Sequence, residues 1–429
     1  MNDIFRIEGF DRKRKLAGTI PVKGAKNAAL KAMAAAVLFE DELHLENVPN
    51  IEDIARTVEL LEQLGATVQK TGEHSFSIQV PENATSELSS DISKRFRASI
   101  VLTGPLLARF GSVALPHPGG CVIGKRPIDI FLDGFQKMGA EILEEEDCYR
   151  IRAPKSGLQG TELFLRVPSV TATETFLMAA VLAKGKTVIK NAALEPEIQD
   201  LARFLNTCGA HIEGIGTPFL TIEGGSLLRG KGHVYTTPPD RIEAGSFVIL
   251  AALAGKDVTV ENCRPEHFEA LLDALETAGV KMEVSDTSIR VLGEEGQVFQ
   301  PVDIKTHEYP GFPTDLQAPM SVFLTQANGE SFVHETIFEG RLNYTEELVW
   351  MGADIMMLDV HRMLVKGPAE LHGRELKSPD LRAGIAYVIA AIIAQRKSVI
   401  HNVYNIDRGY EKLEERLTAL GARIVREHE

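Results

Sequence analysis

LLEQLGATV (60–68) decides the fold, because the same plan returns five times: GFQKMGAEI (134–142), FLNTCGAHI (204–212), ALETAGVKM (274–282), LVWMGADIM (348–356) and LTALGARIV (417–425). Each fragment has apolar residues at helical spacing, then a glycine, then a short β-type segment. The glycines are Gly65, Gly139, Gly209, Gly279, Gly352 and Gly421, separated by 74, 70, 70, 73 and 69 residues. Such regular spacing marks six copies of one unit of about 70 residues. Each copy predicts a helix stopped by a C′ glycine that feeds a strand.

Upstream, most units share a strand ending in asparagine: HLEN to Asn47, VIKN to Asn191, VTVEN to Asn262 and VIHN to Asn402, with FVHET (332–336) at this place in the fifth unit. Eighteen residues separate Asn47 from Gly65 and Asn191 from Gly209, and the same step back from Gly139 lands on Cys121. A cysteine loop, PHPGGCVIGKRPID (116–129), therefore stands where the other units have a structural turn. Its prolines and glycines favour a loop over a packed interior, and Lys125 and Arg126 favour a thiolate or a bound anion nearby. An ordinary buried cysteine is the plain alternative.

Each unit also has an earlier apolar helix: KNAALKAMAAAVLF, RASIVLTGPLLARFG, TATETFLMAAVLAKG, EAGSFVILAALAG, DLQAPMSVFLTQANG and DLRAGIAYVIAAIIA. Hydrophobicity on all sides predicts helices buried inside, with sheets outside. Their starts are polar: Lys26 and Asn27, Arg97, Ser169 and Thr171, Arg241 and Glu243, Asp315, and Asp380 with Arg382. Single polar residues at helix starts are commonly caps. Cations there run against the helix macrodipole, and several of them together fit anion sites. In HEYPGFPTDLQ (307–317), Asp315 reads as an N-cap or as a rigidly presented carboxylate, and in IDRGYEKLEERL the plain reading of Asp407 and Arg408 is a solvent-facing pair.

Composition bounds function. The 429 residues are 44% apolar, enough for two or three domains with proper cores. A net charge of −14 argues against a nucleic-acid-coating surface or a polybasic membrane patch. Four scattered cysteines form no CxxC pair, so a reducing compartment is expected, with neither a disulfide framework nor a zinc site. The charged N-terminal stretch MNDIFRIEGFDRKRK carries no export signal, and the run Ala383–Ala394 is too short to span a bilayer. GGCVIGKR (119–126) mimics a phosphate-binding loop, but Arg126 stands where Ser or Thr must hold magnesium.

Taken together, GAKNAAL, RASIVLTGPLLARFG, GGCVIGKRPID, FPTDLQ, DLRAG and IDRGYE resemble the UDP-N-acetylglucosamine 1-carboxyvinyltransferases of the enolpyruvyl transferase superfamily, from about residue 4 to the C-terminus. The resemblance implies an α/β fold of two inside-out lobes, three units in each, with the active site in the cleft between them. The first lobe would span 22–237, and the second would combine 1–21 with 238–429. The implied reaction moves the enolpyruvyl group of phosphoenolpyruvate to the 3′-hydroxyl of UDP-N-acetylglucosamine and releases phosphate. That is the first committed step of peptidoglycan synthesis, in the cytoplasm.

The resemblance gives Cys121 as the acid and fosfomycin target, and Asp315 as the base, with Lys26 and Arg408 also catalytic. Lys26, Asn27, Arg126, Asp380, Arg382 and Arg408 would hold or line the phosphoenolpyruvate site. Asn27, Arg97, Arg126, Pro127, Ile128, Asp129, Ile130, Val167, Pro168, Ser169, Val170, Asp315 and Ile337 would bind the sugar nucleotide. No metal or organic cofactor is implied, and a monomer is expected, with the oligomeric state open. Two positions depart from the family pattern: Phe131 stands where several members have His, and Val167 where many have Lys. The alternatives are a sugar-nucleotide-binding regulatory paralogue and a 3-phosphoshikimate enolpyruvyl transferase, which lacks the cysteine loop.

Overall fold

The structure is a computed structural model that describes residues 3–88, 97–117 and 128–428, apart from the side chains of 97 and 98. Cys121, Arg126 and Pro127 lie outside the described residues, as does the side chain of Arg97. The described chain divides into two compact units, one of residues 3–23 and 239–428 and the other of residues 24–88, 97–117 and 128–238. Each unit contains three sheets among the described residues.

In the unit of 239–428, one sheet runs in the order Leu16–Pro21, Gly255–Glu261, Ser288–Leu292, Lys281–Val284. Its first pair is parallel and the rest antiparallel, because the outer two strands form a hairpin. The sheet of Ile304–Lys305, Gly329–His334, Arg362–Gly367 and Asp354–Met357 repeats that pattern. The third sheet is closed by the N-terminal strand: Asp3–Glu8 lies between Lys397–His401 and Arg423–His428. Among the described residues, the other unit has two four-stranded sheets and one of three strands, Ser112–Pro116, Cys148–Arg152 and Glu141–Glu144, with Glu87 in a parallel bridge to Ala114 beside it.

The repeated glycines all adopt positive φ, between 89° and 110°. After the helix Glu52–Gln63, Gly65 N–H bonds Glu62 C=O at 2.9 Å and Ala66 N–H bonds Leu61 C=O at 3.0 Å. This Schellman pairing satisfies carbonyls that the helix end leaves open. The same two bonds recur at Gly139, Gly209, Gly279, Gly352 and Gly421. In each case the following residue is a buried Ala or Val that immediately precedes the outer strand.

The asparagines also serve one purpose. Asn47, Asn191, Asn262 and Asn402 take φ between 54° and 59°, a left-handed conformation that Asn tolerates better than other side chains with a Cβ. Each side-chain amide donates to the carbonyl just past the short parallel strand: Asn47 to Thr237 at 2.8 Å, Asn191 to Leu165 at 2.9 Å, Asn262 to Val22 at 2.7 Å and Asn402 to Ser378 at 3.4 Å. In the fifth copy the Thr336 hydroxyl donates to Thr306 C=O at 2.6 Å and does the same work.

The apolar helices are interior, as their composition predicts. Every residue of Leu381–Ile393 is buried, as is Ile242 through Ala254 in Arg241–Ala254. RASIVLTGPLLARFG departs from a single helix: it opens as a 3-10 turn, Arg97–Leu102, before the α-helix Thr103–Phe110, whose third residue is Pro105. Close packing enforces small residues. A Cβ on Gly134 would lie 2.1 Å from the Phe176 ring, and one on Gly104 would lie 2.2 Å from Thr175 O. Inside the second unit Lys31 reaches Glu174 at 3.1 Å, and burial pushes the Glu174 carboxyl up to about 7 despite that ammonium.

Asn262→Ala should lower stability by about 1–3 kcal/mol, through one lost hydrogen bond and left-handed strain. Asn262→Gly, which relieves the strain, should cost less. Urea midpoints that rank Gly below Ala would contradict this account of the turn.

Candidate active site

The unit of 239–428 gathers charge at the start of two interior helices. The rigid segment before Gln317–Leu324 ends in a 3-10 turn, Thr314–Leu316, that carries Asp315. Asp315 is not an N-cap, which corrects the capping reading: the turn makes no side-chain cap bond, and the carboxylate faces two guanidiniums. Arg382 Nη2 donates to Oδ2 at 2.9 Å, and Arg341 Nη2 donates to Oδ1. The two arginine side chains are 7% and 4% exposed and Asp315 is 26% exposed, so the triad is largely desolvated yet reachable. Burial alone would raise the Asp315 pKa, but Arg382 and Arg341 more than reverse it and hold the carboxyl well below the usual range.

Neighbours fix the triad. Arg341 Nε donates to Thr314 Oγ1 at 3.2 Å, and that hydroxyl donates to Glu335 Oε2 at 2.9 Å. Glu335 Oε1 accepts the amides of Ile337 at 2.8 Å and Phe338 at 3.1 Å, which sets the backbone at Ile337. The Arg341 guanidinium lies 5.3 Å from the Phe338 ring centroid. Asp380 is the N-cap of Leu381–Ile393, accepting from Arg382 N at 2.7 Å and Ala383 N at 3.1 Å. One of its oxygens is thus committed to the backbone, and Asp380 acts here by orienting the helix turn that carries Arg382.

Arg408 ends the short helix Tyr404–Asp407 and is half-buried. The reading of Asp407 and Arg408 as a surface pair is corrected, since Asp407 is held by Arg426 at 2.7 and 2.8 Å. Beyond Gly409, the Tyr410 hydroxyl lies 3.1 Å from Ser246 Oγ, and burial pushes its pKa up to about 12.

In the other unit Lys26 opens the helix Lys26–Ala35 and Asn27 follows it, half-buried. Lys26 Nζ lies 2.6 Å from Asp53, whose side chain is 4% exposed, on the neighbouring helix Glu52–Gln63. Ser169 caps Val170–Val181 by accepting from Ala172 N at 3.3 Å, while Val167 before it is 59% exposed and Pro168 is half-buried. Ile128 and Ile130 are half-buried around the exposed Asp129 that opens Asp129–Lys137. Phe131, the departure noted above, is buried against Phe176 with ring centroids 6.2 Å apart. Among the described residues, no group of three or more His, Cys, Asp or Glu could hold a metal ion.

Arg341, Thr314 and Glu335 escaped the sequence reading. Arg341 belongs to no quoted motif and is tied to Asp315 only by tertiary contact. The one signal was FVHET itself, whose departure from the asparagine pattern marks Glu335 and Thr336 as specialised.

A scan against family models matches residues 10–417 to EPSP synthase (3-phosphoshikimate 1-carboxyvinyltransferase). A curated protein of Koribacter versatilis, named UDP-N-acetylglucosamine 1-carboxyvinyltransferase, is 45% identical over 414 residues, covering 96% of this chain and 94% of that one. The UDP-N-acetylglucosamine 1-carboxyvinyltransferase 2 of Listeria monocytogenes serotype 4b is 43% identical, covering 96% of each. Among solved structures, the enolpyruvyl transferase NikO from Streptomyces tendae superposes with a TM-score of 0.88 at 24% identity, covering 99% of both chains. EPSP synthase from Acinetobacter baumannii gives 0.74 at 17% identity over 100% of both, and these two likenesses speak for the fold alone.

Asp315 carries a depressed pKa, so its stabilising charge is complete above the unfolded value of about 3.8 and is lost as pH falls below it. Asp315→Asn leaves two buried guanidiniums without their anion and should cost roughly 3 kcal/mol at pH 7. In urea unfolding the gap between wild type and variant should be flat from about pH 5 to 8 and shrink below about pH 3.8. A gap that is absent at pH 7, or that widens in acid, would contradict the clamp.

Proposed function

Because the chain belongs to the EPSP synthase family, among its UDP-N-acetylglucosamine 1-carboxyvinyltransferases, we propose that it transfers the enolpyruvyl group of phosphoenolpyruvate to the 3′-hydroxyl of UDP-N-acetylglucosamine and releases phosphate. The single observation that carries this reading is 45% identity along 96% of the chain to a relative of that name. The proposal includes the finer architecture: two inside-out lobes, 22–237 and 1–21 with 238–429, three copies of the unit in each. The place of the reaction is the first committed step of peptidoglycan synthesis, in the cytoplasm. The three described cysteines, Cys148, Cys208 and Cys263, are free, which suits a reducing compartment.

The chemistry is addition followed by elimination. In the first step the 3′-oxygen bonds the central carbon of phosphoenolpyruvate, the methylene carbon takes a proton and the hydroxyl loses one. In the second, the carbon–oxygen bond to phosphate breaks and the new methyl group returns a proton. An acid and a base must therefore serve one substrate pair. Cys121 is the proposed acid and Asp315 the proposed proton acceptor. Lys26, Arg126, Arg382 and Arg408 are suited to the phosphate and carboxylate of phosphoenolpyruvate, with Asn27 and Asp380 beside them. Arg97, Arg126, Pro127, the segment Ile128–Ile130, the segment Val167–Val170, Ile337 and Asn27 are assigned to the nucleotide sugar.

The clamp on Asp315 shapes the proposed mechanism. A carboxylate held by two guanidiniums stays charged but is a weak base. When an anionic substrate engages Arg382, that guanidinium is shared, and the Asp315 pKa rises toward the ordinary range. Base strength thus increases once phosphoenolpyruvate is bound.

Phosphate release should require both substrates and should not occur with shikimate 3-phosphate in place of the nucleotide sugar. Tight nucleotide binding without turnover would favour the regulatory reading. Fosfomycin should label the peptide containing Cys121, and Cys121→Asp should turn over without labelling. Asp315→Asn should lower kcat by at least about 100-fold. Retention of wild-type kcat by that variant would remove Asp315 from the proton path.

A further inference from the structure

Arg382 has a second anchor besides Asp315. Its guanidinium is hydrogen-bonded to the Tyr410 hydroxyl, and that hydroxyl lies 3.1 Å from Ser246 Oγ. Ser246 donates in turn to Ile242 C=O at 2.8 Å, one turn back on its own helix, Arg241–Ala254. Arg382, Tyr410 and Ser246 are all buried.

The protons fix the direction of this chain. Ser246 has one hydroxyl proton, and it is directed at Ile242 C=O, so the Tyr410 O–H donates to Ser246 Oγ. The Tyr410 oxygen is thereby left to accept from Arg382. Burial keeps the phenol protonated, although the neighbouring Arg382 favours the phenolate. Three hydrogen bonds thus run the same way, from the guanidinium to the helix carbonyl, and aligned bonds in a low-dielectric interior reinforce one another.

Tyr410 is tied to Arg408 as well. Gly409 and Tyr410 both donate their amides to Ile406 C=O, at 3.1 and 3.0 Å, so Arg408 is wound into one tight turn with them. A Cβ on Gly409 would lie 2.8 Å from Leu381 Cδ2, which places that turn directly against the start of the helix that carries Arg382.

We propose that Tyr410 is a positioning residue for the anion-binding arginines: its hydroxyl holds Arg382, and the turn it closes sets Arg408 against the same helix start. The proposal rests on the reading of the site as one for phosphoenolpyruvate. An Arg382 held by Asp315 alone would have to give up its one anchor to an incoming anion. A neutral oxygen holds the guanidinium without cancelling its charge, so the arginine stays in place, and stays cationic, as the substrate takes its share.

The anchor is tested without substrate, by urea unfolding of Tyr410→Phe, Arg382→Met and the double variant. Loss of the hydroxyl should lower the folding constant at least about threefold more in wild type than in the Arg382→Met background. The role is tested by steady-state kinetics of the full chain. Tyr410→Phe should raise KM for phosphoenolpyruvate at least about tenfold and leave KM for UDP-N-acetylglucosamine within about twofold. Ser246→Ala, which removes the acceptor of the Tyr410 proton, should move the same KM in the same direction by less. Tyr387→Phe deletes another buried hydroxyl on the Arg382 helix, one that bonds Tyr344 C=O at 3.0 Å, and should lower stability with both KM values unchanged. Additive unfolding effects overturn the anchor, and a Tyr410→Phe enzyme whose two KM values rise equally, or not at all, overturns the positioning role. A wild-type chain without turnover defeats the enolpyruvyl reading and the role toward phosphoenolpyruvate with it, while the unfolding data still decide whether Tyr410 holds Arg382.

Discussion

The helices Arg241–Ala254 and Leu381–Ile393 are buried along nearly their whole lengths, and this constraint governs the rest of the molecule. An interior helix can offer polar groups to a ligand only at its ends, since a polar side chain along its length would need a buried partner. Its first turn carries unpaired amides and the positive end of the dipole, so that end is the natural place for anions. Asp240 and Asp380 neutralise part of that demand by capping. Arg382, two residues past its cap, is left pointing at Asp315.

The clamp on Asp315 shows how much such a location can do. Two nearly buried guanidiniums cannot stay desolvated without an anion, and one carboxylate supplies it for both. The arrangement leaves more positive than negative charge in the triad, which favours a further anion such as a carboxylate or phosphate. A site that binds its substrate by sharing these arginines also changes the basicity of its own carboxylate. In the proposed mechanism, affinity and proton transfer would be linked through this one set of hydrogen bonds.

Much of the scaffold was legible in the sequence because it rests on local geometry. A glycine at C′ and an asparagine at the strand end answer to backbone conformation, and the structure shows the Schellman bonds and left-handed φ that those residues permit. The fifth copy shows the limit of that legibility. FVHET has no asparagine, and only the fold reveals that the Thr336 hydroxyl performs the tether. Arg341 was illegible for a related reason, since its partner Asp315 is 26 residues away and no periodicity connects them. Asp407 was misread because proximity in sequence favoured Arg408, whereas the folded strand Arg423–His428 brings Arg426 to it.

Capping and chemistry proved hard to separate from residue type alone. Asp315 and Asp380 both stand at starts of interior helices, yet one faces arginines and the other faces amides. The difference lies in the turn: Asp380 has an extended backbone, with φ of −156°, and Asp315 sits inside a 3-10 turn. The central claim is that these helix starts serve enolpyruvyl transfer to a sugar nucleotide. Its most direct test is the identity of the product after incubation with phosphoenolpyruvate and UDP-N-acetylglucosamine, read by mass spectrometry and proton NMR. The account predicts a nucleotide sugar bearing a vinyl ether at the 3′-oxygen; recovery of the nucleotide unchanged, from protein shown to be folded, would contradict it.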